Sequence, residues 1–390
     1  MRLLYIHQYF KIPSEGGSLR SYYLAKELVK IGHEVIMITA HNHTHRISKT
    51  LDGIEVIYLP VSYSNYMSLP RRGLAFLKFM ILAMFESMRY RNIDCCYVMT
   101  TPLSTGVVAL FNKYFLRRPY IFEVGDLWPK VPIDMGLISS SWKQKLLEWA
   151  ERAFYKKAGG LVGLSEPITQ HLTKVAPNVL AETIFNISDC EQFKPSKKND
   201  LWVEKFKVID KFVVSYTGTF GRANDLGRVI AWANSAKDLP IHFLLVGDGV
   251  EKKKVNTQIE NCGLTNITTY GSMSKTEIKQ IINISDAMLV SFANVESLHT
   301  GSPNKFFDAL AAGKLVITNF GGWAGDLIKT ENCGFVAETP LHFRERIAGF
   351  LNDETLLKTY QENARKLAEY RFELSAQSKK QEDFILKTLS

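Results

Sequence analysis

Residues 300–318 read TGSPNKFFDALAAGKLVIT, a loop, a helix, a glycine and a strand in succession. Ser302 is a typical N-cap, and Pro303 suits the first helical position because its missing N–H costs nothing there. We therefore expect a helix that begins at Pro303 and ends at Gly313. The apolar run from Leu315 to Thr318 that follows predicts a buried strand. A helix that leads into a buried strand is typical of a parallel α/β sheet.

The start of this helix has the properties of a phosphate site. Its first turn, which contains Asn304 and Lys305, offers unpaired backbone N–H groups and the positive end of the helix dipole. Lys305 adds a full charge, and Asp308 follows about one turn later, where a carboxylate suits ribose hydroxyls. The same residues also fit an ordinary helix packed on a parallel sheet, so the pattern alone leaves both interpretations open.

Similar strand-and-loop patterns occur earlier in the C-terminal half. Phe212–Thr217 predicts a strand, and Gly218 and Arg222 follow it in a glycine loop that leads to a helix, as in many phosphate sites. Ile241–Val246 predicts a second strand, which runs into the sharp turn 247–249. A lone pair of glycines is weak support for phosphate binding.

The N-terminal half opens with a β-loop-α-β pattern. A strand from Leu3 to His7 is followed by a loop that contains Gly16 and Gly17, a helix to about Ile31 and a second strand at Glu34–Thr39. Open α/β sheets bind ligands at the carboxyl ends of their strands, where this loop lies. The loop lacks the G-x-G-x-x-G spacing of dinucleotide enzymes, which argues against NAD.

A polar cluster follows a later strand of the same half. Tyr120–Val124 predicts a strand that runs into Gly125-Asp126-Leu127-Trp128-Pro129. Asp126 at a strand end is a candidate catalytic carboxylate. The alternative is a turn or N-cap carboxylate without a chemical role.

Taken in order, these motifs resemble glycosyltransferase family 4, retaining enzymes of the GT-B architecture. The resemblance is strongest to members that build bacterial surface polysaccharides such as O-antigen and capsule, including fucosamine-transferase-like enzymes. It implies two Rossmann-like domains with an interdomain cleft. It also implies hexosyl transfer from a nucleotide diphosphate sugar, most often UDP-linked, to a glycan or a lipid-diphosphate-linked acceptor. Three positions depart from the family pattern: Thr300 and Asp308 stand where two glutamates are typical, and Gly125 where an arginine is usual.

The resemblance also assigns roles to individual residues. Asp126 is the implied catalytic residue. The implied donor-binding residues are Gly16, Gly17, Gly218, Arg222, Asn224, Gly249, Met273, Ser302, Pro303, Asn304, Lys305 and Asp308. No metal and no cofactor are expected, since the nucleotide sugar is a substrate. Two alternatives remain open: a nucleotide-sugar epimerase of GT-B fold, and a GT-B binding protein that has lost catalysis, which the departures at Thr300 and Gly125 keep possible.

The domain boundaries follow from the same comparison and from composition. We expect an acceptor-binding domain over residues 1–190, a donor-binding domain over 191–369, and a helix at 370–390 that packs back on the first domain. The polar stretch 194–200 marks the linker.

Composition and charge fit a large cytoplasmic enzyme. The 390 residues carry a net charge of +9 and five cysteines, whose number and spacing fit reduced thiols. No apolar run of eighteen residues occurs, so we expect neither a spanning helix nor a signal peptide. Residues 1–190 hold 22 basic against 15 acidic side chains, and thus most of the net charge. A basic surface attracts anions, but no nucleic-acid-binding motif accompanies it, and we expect no nucleic-acid partner.

Two stretches of the N-terminal half have two interpretations each. His41, His43 and His45 alternate as metal ligands can, but without a carboxylate or cysteine they fit a polar loop better. The helical pattern from Arg71 to Arg91 mixes apolar and basic residues, and it fits a core helix or an interfacial helix equally well. With the basic charge of this half, it predicts peripheral attachment to an anionic membrane at its inner face.

Overall fold

The computed structural model describes residues 1–15, 19–64 and 66–390. The predicted donor-binding residues Gly16 and Gly17 lie outside the described residues. The chain forms two compact units, and the first ends at Phe185 rather than at 190. Unit 1 comprises Met1–Phe185, Thr300–Ser302 and Leu374–Ser390; unit 2 comprises Asn186–His299 and Pro303–Glu373.

Unit 1 is built on an eight-stranded sheet. Its strands are β1 (Arg2–Ile6), β2 (Glu34–His41), β3 (Ile47–Leu51), β4 (Ile54–Pro60), β5 (Cys95–Met99), β6 (Tyr120–Val124), β7 (Gly160–Gly163) and β8 (Leu180–Thr183). They lie in the order β3-β4-β2-β1-β5-β6-β7-β8, and all neighbouring pairs are parallel except β3 with β4. Sequence reasoning missed β3. The signal was present in Asp52-Gly53, a hairpin turn in which both residues have positive φ, 49° and 82°.

Helices cover both faces of this sheet. They are α1 (Arg20–Lys30), α2 (Leu69–Ser87), α3 (Thr105–Phe115), α4 (Lys130–Asp134), α5 (Ser141–Lys157) and α6 (Glu166–Val175). Side chains from α2, α3, α5 and α6 share one apolar core with the sheet, whereas α1 contributes to the core on the other face. Burial of both faces explains why the central strands are almost entirely apolar.

Unit 2 is built on a six-stranded parallel sheet. Its strands are β9 (Phe212–Thr217), β10 (Ile241–Val246), β11 (Ile267–Tyr270), β12 (Ala287–Val290), β13 (Leu315–Thr318) and β14 (Gly334–Val336), in the order β11-β10-β9-β12-β13-β14. Its helices are α7 (Asp200–Lys205), α8 (Leu226–Ser235), α9 (Lys252–Asn261), α10 (Lys275–Ile284), α11 (Asn304–Ala311), α12 (Gly322–Thr330), α13 (Pro340–Asn352) and α14 (Glu354–Leu367).

The last helix, α15 (Leu374–Leu389), belongs to unit 1. It packs against α1, and Phe384 and Ile385 are buried in the core on that face of the first sheet. It begins at Leu374 rather than at 370, because a π-helical turn at Ala368–Phe372 comes first.

The strand orders place a switch point in each sheet. In unit 1 the chain goes outward from β1 in both directions, through β2 and through β5; in unit 2 it does so from β9, through β10 and through β12. Open α/β sheets bind ligands outside the carboxyl ends of the strands at such a point. The prediction of an α/β protein with two Rossmann-like domains is confirmed.

In the three described ranges, none of the helices combines the length and the hydropathy that crossing a membrane requires.

Candidate functional site

The loop before α11 differs from the prediction by one residue. Pro303 has φ −75° and ψ 129° and is itself the N-cap, so the helix begins at Asn304 and Ser302 lies outside it. Because ψ of Pro303 is extended, this proline takes the N-cap position itself, and Ser302 does not directly precede the first turn. The helix still presents its N-terminal end, with Asn304 and Lys305 in the first turn.

Lys305 lies over the end of β9. Its Nζ is 3.8 Å from the centroid of the Tyr216 ring, and a Cβ at Gly218 would lie only 2.9 Å from the same Nζ. Burial lowers the pKa of Lys305 to about 7, since desolvation opposes the charged form. The structure therefore brings together Lys305 and the glycine loop after β9, as the phosphate-site interpretation requires.

The loops after β9 and β10 pack on each other through glycines. A Cβ at Gly247 would lie 1.8 Å from the carbonyl oxygen of Gly218, and one at Gly249 would lie 2.5 Å from that of Phe220. The Phe220 N–H donates to the Asp248 carbonyl at 2.9 Å. Gly247 and Gly249 are thus required for close backbone approach. The exposed backbone of Gly218 lies at the carboxyl edge of the sheet, where it can meet a ligand.

Arg222 is in the same loop but points to solvent. Its side chain is 73% exposed, and its Nε lies 3.6 Å from Glu251 Oε1. Arg222–Asn224 forms a 3-10 turn that leads into α8, in agreement with a loop that leads to a helix. The Ser291 hydroxyl holds this turn by donating to the Asn224 carbonyl at 2.6 Å. Arg222 is therefore positioned beside the site without being part of the Lys305 contact.

Asp308 lies on α11 near two other charged groups. Desolvation raises the pKa of its carboxyl to about 7; the nearby Lys275 opposes the shift, and Asp189 adds to it. Burial also lowers the pKa of Lys275. Met273 follows β11, and its side chain packs against an apolar cluster of unit 2 that includes Leu244 and Val246. The backbone of Met273 therefore lies at the carboxyl end of β11. Both residues thus lie at the sheet edge where the sequence placed the donor.

In unit 1, Asp126 follows β6 directly. It is exposed, and desolvation raises the pKa of its carboxyl. The Trp128 N–H donates to the Asp126 carbonyl at 2.9 Å, which forms a tight turn at the strand end. At Gly125 a Cβ would lie 3.7 Å from its nearest neighbours, so the fold does not require a glycine there. A carboxylate with a raised pKa at a strand end can accept a proton from a hydroxyl.

A buried ion pair lies next to this turn, and sequence reasoning missed it. Arg20 and Glu123 form two parallel hydrogen bonds of 3.0 Å, and the Tyr97 hydroxyl donates to Glu123 at 2.5 Å. The side chains of Arg20 and Glu123 are 1% and 0% exposed. The sequence did indicate such a pair, because Glu123 lies inside the otherwise apolar strand YIFEV and a buried carboxylate needs a partner. The pair connects the start of α1 to β6, the strand that ends two residues before Asp126.

Comparisons with known proteins identify both halves of the chain. Residues 15–184 match the family described as "Glycosyl transferase 4-like domain", and residues 199–367 match "Glycosyl transferases group 1". An uncharacterized glycosyltransferase of Methanocaldococcus jannaschii is 28% identical over 137 residues. That alignment covers 35% of this chain and 38% of the relative, so little more than a third of the relative's length is matched.

Solved structures match over almost the whole chain. Sucrose-phosphate synthase from Thermosynechococcus elongatus has a TM-score of 0.78 at 16% identity, with 99% of this chain and 98% of that chain covered. Anabaena HepE in complex with UDP-glucose has a TM-score of 0.72 at 18% identity, with 99% and 100% covered. WaaG, a glycosyltransferase involved in lipopolysaccharide biosynthesis, has a TM-score of 0.69 at 15% identity, with 98% and 99% covered. These likenesses show the fold.

The two family matches span both parallel-sheet units, and the solved structures that share the fold over almost the whole chain include WaaG, a glycosyltransferase. The chain therefore belongs to the glycosyltransferases of GT-B fold, with a 4-like domain in its N-terminal half and a group 1 domain in its C-terminal half, and it is a transferase enzyme.

Proposed function

We propose that this protein transfers a sugar from a UDP-linked donor to an acceptor hydroxyl, with retention at the anomeric carbon. The observation that carries the proposal is the position of Lys305, whose Nζ lies over Tyr216 and beside Gly218 at the switch point of the second sheet. A desolvated ammonium there suits the diphosphate of a nucleotide sugar. The structure of HepE with UDP-glucose supports the choice of nucleotide, since that protein shares the fold.

In the proposed reaction, the bond between the anomeric carbon and the diphosphate oxygen breaks, and the acceptor oxygen forms a new bond to that carbon. The leaving diphosphate gains negative charge, which Lys305, Arg222 and the N-terminal end of α11 stabilise without a metal. The proton of the acceptor hydroxyl leaves with the diphosphate or passes to Asp126. Asp126 thus acts on the acceptor and not on the donor.

Other contacts complete the proposed donor site. Asp308 would hold the ribose hydroxyls, and the backbone at Met273 would meet the base. Asn224 and Gly249 would lie around the diphosphate, and the sequence resemblance gives Gly16 and Gly17 a donor-binding role as well. Ser302 and Pro303 would approach the donor through the backbone before α11.

Binding of UDP by the full-length protein tests the donor site. Arg222→Ala and Lys305→Ala should each weaken UDP binding by about 1 to 3 kcal/mol, the cost of a lost charge-assisted contact. Lys237→Ala, an exposed lysine outside this loop, is the matched control. Calorimetric affinities that are unchanged in both site variants would overturn the phosphate assignment.

The alternatives differ in what they produce. An epimerase of this fold would convert the nucleotide sugar without any acceptor, and a binding protein would release no product. The proposed role in bacterial surface polysaccharide synthesis, including O-antigen, capsule and fucosamine transfer, rests on the sequence resemblance. An acceptor-dependent transfer to an isolated polysaccharide precursor would support it.

We also propose that unit 1 attaches to the inner face of an anionic membrane. The helices α2, α3 and α5 cover the same apolar core of unit 1, and α3 packs against the other two. Each of the three helices also exposes apolar side chains to solvent. These side chains are Leu74, Leu77, Ile81 and Phe85 of α2, Val107, Tyr114 and Phe115 of α3, and Trp142, Leu146 and Trp149 of α5. Phe85 and Trp149 are 61% and 66% exposed. An apolar area of this kind on a folded protein marks an interaction surface.

The charges on the same helices favour anionic lipid over a protein partner. Exposed basic residues on or directly after them are Arg71, Lys78, Arg89, Arg117, Lys143, Lys145, Arg152, Lys156 and Lys157. Each basic residue near an anionic bilayer contributes about 1 kcal/mol. Binding to anionic vesicles should therefore fall with salt and weaken in Arg71→Glu/Lys78→Glu, while Lys237→Glu in unit 2 should bind as wild type. Failure to bind anionic vesicles at low salt would exclude the membrane.

A further inference from the structure

A cavity in unit 2 lies at the amino ends of its strands, away from the proposed donor site. It has a volume of about 230 Å³ and is formed by residues 193–199, the end of α10 and the turn between α11 and β13. Lys314 in that turn directly precedes β13, so the cavity is at the edge of the sheet opposite to Gly218. The helix α11, about 12 Å long, lies between the cavity and Lys305. Open α/β sheets bind substrates at the carboxyl edge, so this cavity is separate from that site.

The lining of this cavity carries positive charge. Four of its residues are lysines, namely Lys194, Lys197, Lys279 and Lys314. Among the described residues of the lining there is no carboxylate. Lys194 and Lys197 have ion-pair partners outside the cavity, Glu191 and Asp200, but these carboxylate side chains are 86% and 77% exposed. Exposed ion pairs of this kind are weak, so the lysines remain available to an anion in the cavity.

Lys314 is a buried cation without a carboxylate partner. It is only 8% exposed, and its Nζ donates to the Asn283 carbonyl at 2.9 Å, which uses one of three N–H donors. The nearby Asp286 pairs with Lys198 at 2.6 Å instead, and no carboxylate in the described part of the chain is within ion-pair distance of Lys314. Burial lowers the pKa of Lys314 to about 8, since desolvation opposes the charged form. An anion in the cavity would supply the charge partner that a buried ammonium needs.

One wall of the cavity is held in place by hydrogen bonds. The Asn283 side chain accepts from the Asn199 N–H at 2.8 Å and donates to the Ser196 hydroxyl at 2.8 Å and the Lys197 carbonyl at 3.0 Å. The Asn199 side chain in turn donates to Gln280 Oε1 at 3.2 Å. Segment 196–199 is thus fixed on the end of α10. A wall that is already ordered reduces the entropy cost of binding a ligand.

The size and polarity of the cavity restrict the ligand. Its volume is below the range of about 300 to 1,000 Å³ that is typical for drug-sized molecules. Among the described lining residues, Phe193 is the one aromatic residue, and it is 2% exposed, so a nucleobase would have no ring to stack on. The other uncharged polar groups are amides and a hydroxyl, on Ser196, Asn199, Gln280 and Asn283.

We infer that this cavity binds a small molecule through a phosphate group, which Lys279 and Lys314 contact. The small volume and the lack of an exposed aromatic ring exclude a nucleotide, which distinguishes this site from the proposed donor site. The four lysines favour the doubly charged phosphate over a carboxylate of single charge. The inference does not rest on the proposed function, because none of the donor-binding residues lines the cavity.

The test is calorimetric titration of the full-length protein with inorganic phosphate and with glycerol 3-phosphate at constant ionic strength. Both titrations are made in saturating UDP, which fills the donor site, and glycerol is the uncharged control. Both phosphates should bind to one site per chain, and glycerol should not bind. UDP alone is titrated into the same preparations, so that a failure of the donor proposal is seen separately.

Matched variants locate the binding. Lys279→Gln and Lys314→Met should each raise the Kd for inorganic phosphate by about tenfold, as loss of a charge-assisted contact does. The control is Lys329→Gln, an exposed lysine of α12 that does not line the cavity. Lys279 is exposed, so its variant tests the inference even if Lys314→Met fails to fold. Phosphate should also stabilise the wild type against urea more than it stabilises Lys314→Met, which a lysine that only caps α10 would not produce.

Two outcomes would overturn the inference. The first is the absence of phosphate binding in saturating UDP, since any binding seen without UDP would then belong to the donor site. The second is a Kd for phosphate that Lys279→Gln and Lys314→Met change no more than Lys329→Gln does, because the attraction would then be a general effect of net charge. UDP affinity that persists in either case would leave the donor proposal intact.

Discussion

In the proposed function Lys305 contacts the diphosphate, and UDP binding should then take up a proton, because this ammonium is only partly charged in the free protein. Desolvation lowers the pKa of Lys305 from 10.5 to about 7. A diphosphate in contact favours the charged form and should return the pKa toward its ordinary value. The free protein must therefore bind a proton before it can make the full contact.

The size of the proton uptake follows from the pKa of Lys305 in the free protein and in the UDP complex. At pH 8 only about a tenth of the Lys305 side chains are charged in the free protein, so about 0.9 proton is taken up for each UDP bound. The Kd for UDP should rise about 15-fold from pH 7 to pH 8.5. The terminal phosphate of UDP has a pKa of about 6, so its own titration contributes little to the change in Kd between pH 7 and pH 8.5.

Calorimetry in two buffers with different heats of ionisation measures the proton uptake directly. Lys305→Arg is the control, since a guanidinium stays charged throughout and should flatten the pH dependence. A UDP affinity of the wild type that is constant from pH 7 to pH 8.5 would refute the reasoning. So would a Lys305→Arg variant with the same slope as the wild type, because another group would then titrate.

The lowered pKa of Lys305 also affects the free energy of unfolding. Lys305 has a lower pKa folded than unfolded, so its charge opposes folding; the penalty is full below about pH 7 and disappears above about pH 10.5. Lys305→Met should therefore raise the free energy of unfolding of the ligand-free protein at pH 7, and the gain should shrink as the pH rises. Urea denaturation at pH 7 and pH 9 measures both values.

Three further predictions concern single side chains. Asp126→Asn should reduce the rate of transfer by about two orders of magnitude and leave the UDP affinity unchanged. Wild-type activity should decline as acid protonates this carboxyl, whose pKa is raised. Equal losses of turnover and UDP affinity would instead make Asp126 a structural turn residue. Glu123→Gln leaves its buried arginine partner uncompensated and should lower the free energy of unfolding by about 3 to 5 kcal/mol in urea; a loss under about 1 kcal/mol would contradict the buried pair. Gly249→Ala should lower the free energy of unfolding by about 1 to 3 kcal/mol, because φ is +154° and a Cβ would lie 2.5 Å from a carbonyl oxygen. Gly271→Ala should be near neutral, because its Cβ would only come within 3.8 Å of the Lys252 Nζ, an ordinary van der Waals contact. The reverse order of the two losses would count against the packed loops.

Local patterns were sufficient for most of the elements. The predicted bounds of β6, β9, β10 and β13 agree with the structure, because apolar periodicity and flanking glycines act over a few residues. The helix cap was less certain, since Pro303 has an extended backbone and takes the N-cap position that the sequence assigned to Ser302. The β3–β4 hairpin was missed although its Asp-Gly turn is written in the sequence.

The sequence by itself determined two parallel α/β units, glycine loops at strand ends and a lysine at the start of α11. Only the tertiary structure decided which side chains meet. Arg20 and Glu123 are 103 residues apart, and Lys305 reaches Tyr216 from a different element of its unit. Which apolar side chains of α2, α3 and α5 remain exposed depends on which face of each helix packs against the sheet. Such contacts depend on the packing of distant elements, and no local pattern of residues encodes them.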